Sequence, residues 1–432
     1  MTSIKIYDKS LVCLVGSSGS GKSTFAARHF GHTEVLSSDH FRAMVCDDPN
    51  DQLATFQAFA CLQRVAAARL SIGRLTAVDA TSLRRHDRAV FLAMARERDL
   101  PALAIVLNPG LDVCLARTEA RRDRPPGMAK VVRDHHRLLN QTLRDIGREG
   151  FERVVLLEGP EEIEAVEINK VPLPCDRTFD SGPFDVVGDV HGCLDELADI
   201  LGLLGYEVDR GELTVGSPRG RRVIFLGDLN DRGPETASVL RLAMGMVAAG
   251  TALLVPGNHE IKLLRHLRGQ DVKISHGFDK TLDSLKGAGP EFLEGLAAFL
   301  EALPSHYVLD GGKLVVAHAG LKERYQGRFS PRERRFCLFG ETAGELDGYG
   351  LPVRLDWTAG YRGGALVLYG HMPALEVRRN NNTVCLDTGC VFGGSLSAWR
   401  YPENELVQAP ARKKWYPPVR PLEEPSSRAG GK

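Results

Sequence analysis

The sequence predicts two domains in tandem: an α/β domain with a mostly parallel sheet and helices on both faces, then an α+β domain. Three observations carry this. At 432 residues the chain exceeds the roughly 250–300 at which a single core stops growing. Short apolar runs alternate with amphipathic stretches over the first ~155 residues, the pattern of a helix-covered parallel sheet. A second set of apolar runs then ends, each time, in a cluster of polar residues. We divide the chain as 1–160, a connection over 161–183 rich in Pro, Gly and charge, 184–405, and a Pro- and charge-rich tail over 406–432, expected to be loosely ordered.

In the first domain, "SLVCLVG" is the opening strand and a helix starts at Gly21–Lys22. "EVLSSD", "LTAVDAT" and "ALAIVLN" are further strands, and "ERVVLLEGPEEIE" closes the unit. In the second, "FDVVGD", "RRVIFLGD", "ALLVPGN" and "GKLVVAH" are strands.

Composition excludes several classes. Lys+Arg and Asp+Glu both count 55, so no global field attracts polyanions, and a nucleic acid would have to be held by local basic patches. No run reaches the roughly 18 apolar residues that span a bilayer, and the first residues lack a secretory pattern. The nine cysteines form no CxxC pair and several lie in apolar runs, where cysteine acts as a small hydrophobe. A cytoplasmic location with reduced thiols and no membrane partner is the expectation.

Residues Gly16, Ser17, Ser18, Gly19, Ser20, Gly21, Lys22, Ser23 and Thr24 form a phosphate-binding loop between a strand and a helix, the context that motif requires. Glycines let backbone amides curl around an anion, and the helix N-terminus adds positive potential. Lys22 is expected at the β- and γ-phosphates of ATP or another NTP, and Ser23 at Mg²⁺. A motor would also need an apolar strand ending in a Walker B acid. The second strand instead ends in "LSSDHFR", where Asp39 suits taking a proton from a hydroxyl and Arg42 clamping an acceptor phosphate; an N-capping Asp is the competing reading. "LARTEARRDRPP" gathers Arg117, Arg121, Arg122 and Arg124, with Arg117 and Arg121 on one helical face, either a solvated helix or a lid stabilising charge on a transferring phosphoryl group.

This half resembles the polynucleotide 5′-kinases over about residues 10–155. The resemblance implies Asp39 as general base toward a 5′-hydroxyl, Arg42 on the acceptor's phosphate, and "VDATS" around Asp79 as an acceptor-side loop.

The second half carries five ordered elements: Gly188-Asp189-Val190-His191-Gly192, Gly227-Asp228-Leu229-Asn230-Asp231-Arg232-Gly233, Gly257-Asn258-His259-Glu260, "VVAHAG" with His318 and "LYGH" with His371. Two close divalent cations need an anionic bridge, for which Asp228 is suited. Asp189 and His191 are expected to complete one metal site, and Asn258, His318 and His371 the other, with neutral imidazoles suiting Mn²⁺. A bridging hydroxide would attack phosphorus, Arg232 would fork onto phosphate oxygens, and His259, oriented by Asp231, would protonate the leaving alkoxide.

This pattern resembles the binuclear, calcineurin-like metallophosphoesterases over about residues 184–400, which implies a β-sandwich flanked by helices. "CLDTGCVFGGSLSAW" resembles the end of that domain in its diadenosine-tetraphosphatase-like branch, with Asp387 in support. The fusion order is similar to the bacterial polynucleotide kinase–phosphatases of RNA end healing. That implies phosphorylation of 5′-hydroxyls and removal of 2′,3′-cyclic, 2′- or 3′-phosphates. The expected partners are RNA or DNA ends. No KxDG motif follows residue 400, so sealing is expected to be either absent or supplied by another chain, a separate ligase or RNA-modifying protein. A homodimer stays open. The rival expectation is a protein or dinucleotide phosphatase with an ATP-binding regulatory domain.

Overall fold

The computed structural model describes residues 2–121, 127–218 and 220–422. It divides into two compact units, one of Met1–Leu173 with Arg328–Ser330, the other of Pro174–Gly327 with Pro331–Lys432.

The first unit runs β1 (Ser3–Tyr7), β2 (Leu11–Val15), α1 (Lys22–His29), β3 (Val35–Ser37), α2 (Ser38–Cys46), α3 (Thr55–Ser71), β4 (Thr76–Asp79), α4 (Arg85–Glu97), β5 (Ala102–Asn108), α5 (Leu111–Glu119), α6 (Met128–Asp145), β6 (Arg153–Glu158), α7 (Gly159–Ala165) and β7 (Glu167–Val171). Its central sheet has the order β3-β4-β2-β5-β6, every pair parallel. β2 reads LVCLV and is buried at every position, as a strand covered on both faces must be. Alternate residues separate its two faces. Leu11, Cys13 and Val15 pack with α3 and α4 residues such as Leu62 and Phe91, while Val12 and Leu14 pack with Phe25 of α1.

The second unit runs β8 (Asp176–Arg177), β9 (Phe184–Val187), α8 (Leu194–Leu203), β10 (Glu207–Asp209), β11 (Thr214–Gly216), β12 (Arg222–Phe225), α9 (Thr236–Ala248), β13 (Ala252–Leu254), α10 (Asn258–Leu267), α11 (Phe278–Leu285), α12 (Pro290–Ala302), β14 (His306–Leu309), β15 (Leu314–Ala317), α13 (Pro331–Phe339), β16 (Thr342–Leu346), β17 (Pro352–Arg354), β18 (Leu366–Tyr369), β19 (Arg378–Asn380), β20 (Thr383–Cys385), β21 (Ser395–Tyr401) and β22 (Glu405–Pro410). Two large sheets, β13-β12-β9-β21-β22 and β19-β20-β18-β15-β14-β8, form beside the two-stranded pairs β10-β11 and β16-β17. Between them lies one core containing Val186, Ile224, Leu253, Val316, Leu368 and Trp399. Their strand neighbours Val187, Val223 and Leu254 turn outward onto α8 and α9. This is a β-sandwich with helices outside.

Two expectations about the chain's organisation change. The connection over 161–183 contains regular structure: β7 pairs with β1, and β8 joins the β14 edge of the second sandwich sheet. Its polar composition reflects edge strands, whose outer faces meet water. The tail is ordered where it is described. Residues 405–410 form β22 against β21, and the Trp415 indole N–H and Arg412 backbone N–H both donate to Glu196, at 2.8 and 3.0 Å. The apolar anchors of this segment are too sparse to set a period.

Candidate functional sites

In the first unit the phosphate-binding loop joins β2 to α1. Gly19 has a left-handed φ of 80°, and a Cβ there would lie 2.4 Å from the Cys114 carbonyl oxygen, so only glycine fits. Lys22 donates to the Gly16 and Ser17 carbonyls at 2.8 Å each, holding its ammonium in the mouth of the loop. Ser18 Oγ is 3.2 Å from His135 Nδ1 of α6, and Ser17 Oγ 3.2 Å from Cys114 Sγ. A cavity of about 710 Å³ is lined by Lys22, Ser23, Asp39, Arg42, Arg117 and Arg121 among others.

Asp39 stands in the first turn of α2, whose N-cap is Ser37. Arg42, one turn on, pairs with the Asp39 carboxylate, and its Nε donates to the Pro49 carbonyl at 2.8 Å. Carboxylate and guanidinium are thus held together at one wall of the cavity. Arg117 lies on α5, but the helix ends at Glu119, so Arg121 does not share its face. Both still line the cavity; Arg122 and Arg124 lie outside the described residues.

Asp79 was expected on an acceptor loop. It ends β4, the immediate neighbour of β2, and its carboxylate lines the same cavity as the Ser23 hydroxyl. Burial raises its pKa against the pull of Ser23 and Lys22. An acid at a strand end beside the loop's serine is the feature expected to be absent. "LTAVD" does contain an apolar strand ending in an acid, but only the sheet order makes it the neighbour. His135 was missed altogether.

In the second unit Asp189 and His191 follow β9, Asp228 follows β12, Asn258 opens α10 after β13, and His318 and His371 follow β15 and β18. Five parallel-running strand ends deliver them to one edge of the sandwich. Gly257 is forced by the crowding: a Cβ there would sit 2.1 Å from Asp228 Oδ1. His191, Asp228, Asp231, Arg232 and His371 all have left-handed φ, between 48° and 72°.

Two groups of candidate ligand atoms share Asp228. One is Asp228, His318 and His371; the other is His191, Asp228 and His259. His318 Nδ1 donates to the Leu226 carbonyl at 2.9 Å, which leaves a lone pair on Nε2. That lone pair faces Asp228 Oδ1 at 3.4 Å and Asn258 Oδ1 at 3.2 Å. Acceptors converging with no proton among them suit a cation. His191 is oriented in the same way, with Nδ1 on the Asn230 carbonyl at 2.8 Å and Nε2 3.7 Å from Asp228 Oδ2. His371 Nδ1 lies 2.8 Å from His318 Nε2, and its Nε2 is buried without a partner.

Electrostatics supports the same fit. Burial pushes Asp189 and Asp387 up and Asp228 to about 7, with neighbouring carboxylates adding to it at Asp189 and Asp228. Burial, then nearby Arg232, holds His191 and His259 well below the usual range, so both are neutral and able to ligate. A buried acid cluster of this kind requires positive charge, and the donor set fits two divalent cations.

The geometry adds detail to two of these residues. Asp189, expected beside His191, accepts the His371 backbone N–H at 3.0 Å, while His259 stands in the His191–Asp228 group. His259 Nδ1 bonds the Asp231 carboxylate, and Arg232 Nη2 donates to His259 Nε2 at 3.0 Å. Arg232 also bonds His191 Nε2, so its fork spans both imidazoles. Glu260, quoted in the motif without a role, accepts the backbone N–H groups of Asp228 (2.8 Å), Leu229 (2.6 Å) and Gly257 (2.7 Å) and braces both metal loops.

Comparison with known proteins agrees with both units. The AAA domain family matches residues 11–146 and the calcineurin-like phosphoesterase family residues 182–394. A bis(5′-nucleosyl)-tetraphosphatase PrpE (asymmetrical) of Halalkalibacterium halodurans is 44% identical over 234 residues, 53% of this chain and 94% of the relative. The protein of that name from Bacillus subtilis is 39% identical over 236 residues, with the same shares. A solved cold-active protein-tyrosine phosphatase of Shewanella is 17% identical, over 56% of this chain and 83% of its own, at a TM-score of 0.36. With a P-loop unit ahead of a sandwich that gathers buried acids and neutral histidines, the chain belongs to the calcineurin-like phosphoesterases.

Proposed function

We propose that the chain is a bifunctional nucleic-acid end-healing enzyme. Its P-loop unit phosphorylates 5′-hydroxyl ends, and its phosphoesterase unit removes 2′,3′-cyclic, 2′- or 3′-phosphates, with RNA as the substrate class. The observation that carries it is the shared cavity of the first unit. Lys22 and Ser23 face the same space as the paired Asp39 and Arg42. A carboxylate and a guanidinium lining the same cavity as the phosphate-binding loop suit phosphoryl transfer to an alcohol, one as base and the other as phosphate clamp.

In the kinase step Lys22 and Arg117 neutralise charge on the transferring phosphoryl group of ATP, and Ser23, with Asp79 beside it in the cavity, would hold Mg²⁺, which when bound would offset phosphate charge. Asp39 takes the proton of the 5′-hydroxyl as oxygen bonds phosphorus, and Arg42 holds the carboxylate and the acceptor's phosphate. ADP leaves.

In the phosphoesterase step Asp189, His191, Asp228, Asn258, His318 and His371 would hold two divalent cations, with Mn²⁺ the expected pair. When bound, these supply Lewis-acid activation of the phosphoryl group. Arg232 binds the non-bridging oxygens. His259, its Nδ1 fixed on Asp231, presents Nε2 to the leaving oxygen; neutral at the outset, that nitrogen takes up a proton released by the attacking water and passes it to the leaving alkoxide.

The relatives' names favour a second reading for the phosphoesterase unit, hydrolysis of dinucleoside tetraphosphates. One experiment separates the two. The protein is incubated with ATP, Mn²⁺ and a short RNA bearing a 5′-hydroxyl and a 2′,3′-cyclic phosphate, and in parallel with diadenosine tetraphosphate. End healing predicts that both RNA ends change. It also predicts that Asp39→Ala removes only 5′-phosphorylation and His191→Ala only the hydrolysis. Unchanged RNA with cleaved tetraphosphate establishes the second reading.

A further inference from the structure

The first unit has a second concavity, of about 440 Å³. Arg84, Arg85 and Arg148 line it, all exposed, and no ion pair to a carboxylate is found for them among the described residues. Arg88 lies on its floor but is neutralised by Glu149, Nε to Oε2 at 2.8 Å. Of the lining acids only Asp145 remains, so three cations face one carboxylate. The chain as a whole balances its charges, 55 against 55, and this concentration is therefore local.

Both walls of this concavity continue from the P-loop cavity. The segment after β4 lines the first with Asp79 and Thr81 and the second with Leu83 and Arg84. Helix α6 lines the first with His135 and the second with Gln141. Six residues of helix are about 9 Å, or about three nucleotides at the 3.4 Å rise of a stacked strand. Arg84 is close enough to His135 for its charge to help lower that imidazole's pKa, after burial and Lys22.

The geometry points to a backbone-phosphate subsite: the arginine-rimmed concavity takes phosphodiesters about three nucleotides in from the 5′ end seated in the P-loop cavity. This rests on the end-healing reading and deepens it. The subsite reads no bases and selects for strand length, since a dinucleotide is too short to reach it.

The test is the triple variant Arg84→Ala/Arg85→Ala/Arg148→Ala in the full chain, its fold checked by circular dichroism and its ATP affinity measured. Fluorescence anisotropy follows binding of a 12-nucleotide single-stranded RNA with a 5′-hydroxyl across a salt series. The expected result is binding at least about tenfold weaker, with a salt slope smaller by about 2, the value for three single-strand phosphates. KM for the 12-mer as kinase acceptor rises by a similar factor with kcat unchanged, and KM for a dinucleotide does not move. Unchanged 12-mer affinity and slope would overturn the subsite, as would equal loss with the dinucleotide or a tenfold loss of ATP affinity. If the unaltered protein phosphorylates no RNA but the variant still loses 12-mer binding, the kinase reading fails and the subsite stands. Normal phosphorylation with unaltered binding refutes the subsite alone.

Discussion

Glu260→Gln tests how the phosphoesterase site is built, whatever its substrate. The carboxylate is fully buried and accepts three backbone N–H groups, two on Oε2 and one on Oε1. Glutamine can place its oxygen where Oε2 was and keep the Asp228 and Gly257 bonds. Its NH₂ then faces the Leu229 N–H, donor against donor. One charge-assisted bond worth about 1.5–3 kcal/mol is lost, and the other two fall to neutral strength, nearer 1 kcal/mol each. The expected destabilisation of the phosphoesterase unit is about 3–5 kcal/mol. Two loops that present Asp228 and Asn258 lose their common brace, so the metal concentration for half-maximal activity should rise about 10–100-fold. Urea unfolding and metal titration of p-nitrophenyl phosphate hydrolysis read the two effects. A variant within 1 kcal/mol of the parent with an unshifted metal midpoint would show that Glu260 does not brace the site.

Three further outcomes are expected. Arg88→Met strands Glu149 beside the buried face of α4 and should cost the first unit about 3–5 kcal/mol by thermal unfolding. Adding Glu149→Leu should recover much of that, and no recovery would refute the pairing argument. His259→Ala should lower hydrolysis of alkyl phosphoesters about 10²–10⁴-fold but that of p-nitrophenyl phosphate far less, because nitrophenolate leaves without a proton; equal losses would remove His259 from acid catalysis. Added Mn²⁺ at about 100 times its Kd should stabilise the phosphoesterase unit by about 2.7 kcal/mol, a shift that His318→Ala abolishes in calorimetry.

Much of the fold was legible because the strands carry their own signal. Each apolar run that ends in "GD", "GN" or "AH" is a strand whose polar end faces the site. What the sequence hides is adjacency. Asp79 sits inside a plain strand pattern, and only the parallel pairing of β4 with β2 turns it toward Ser23. His135 lies seven residues into a polar helix and offers no spacing that links it to Ser18. His259 meets His191 and Asp228 because residue types fix which groups can ligate, whereas loop geometry decides which of them come together. Glu260 was visible as a letter in a motif, but its work is done on backbone amides that no pattern displays.

The left-handed backbone at His191, Asp228, Asp231, Arg232 and His371 has a consequence for how this domain tolerates change. Each such residue costs about 1–3 kcal/mol relative to a relaxed conformation, and glycine would relieve the backbone part of that. Replacing these side chains by glycine would ease the backbone but open cavities and strand buried partners, such as the Thr281 hydroxyl that donates to Asp231. The left-handed turns are therefore held in place by the contacts of the side chains they present, and the strain at each is offset within the same cluster.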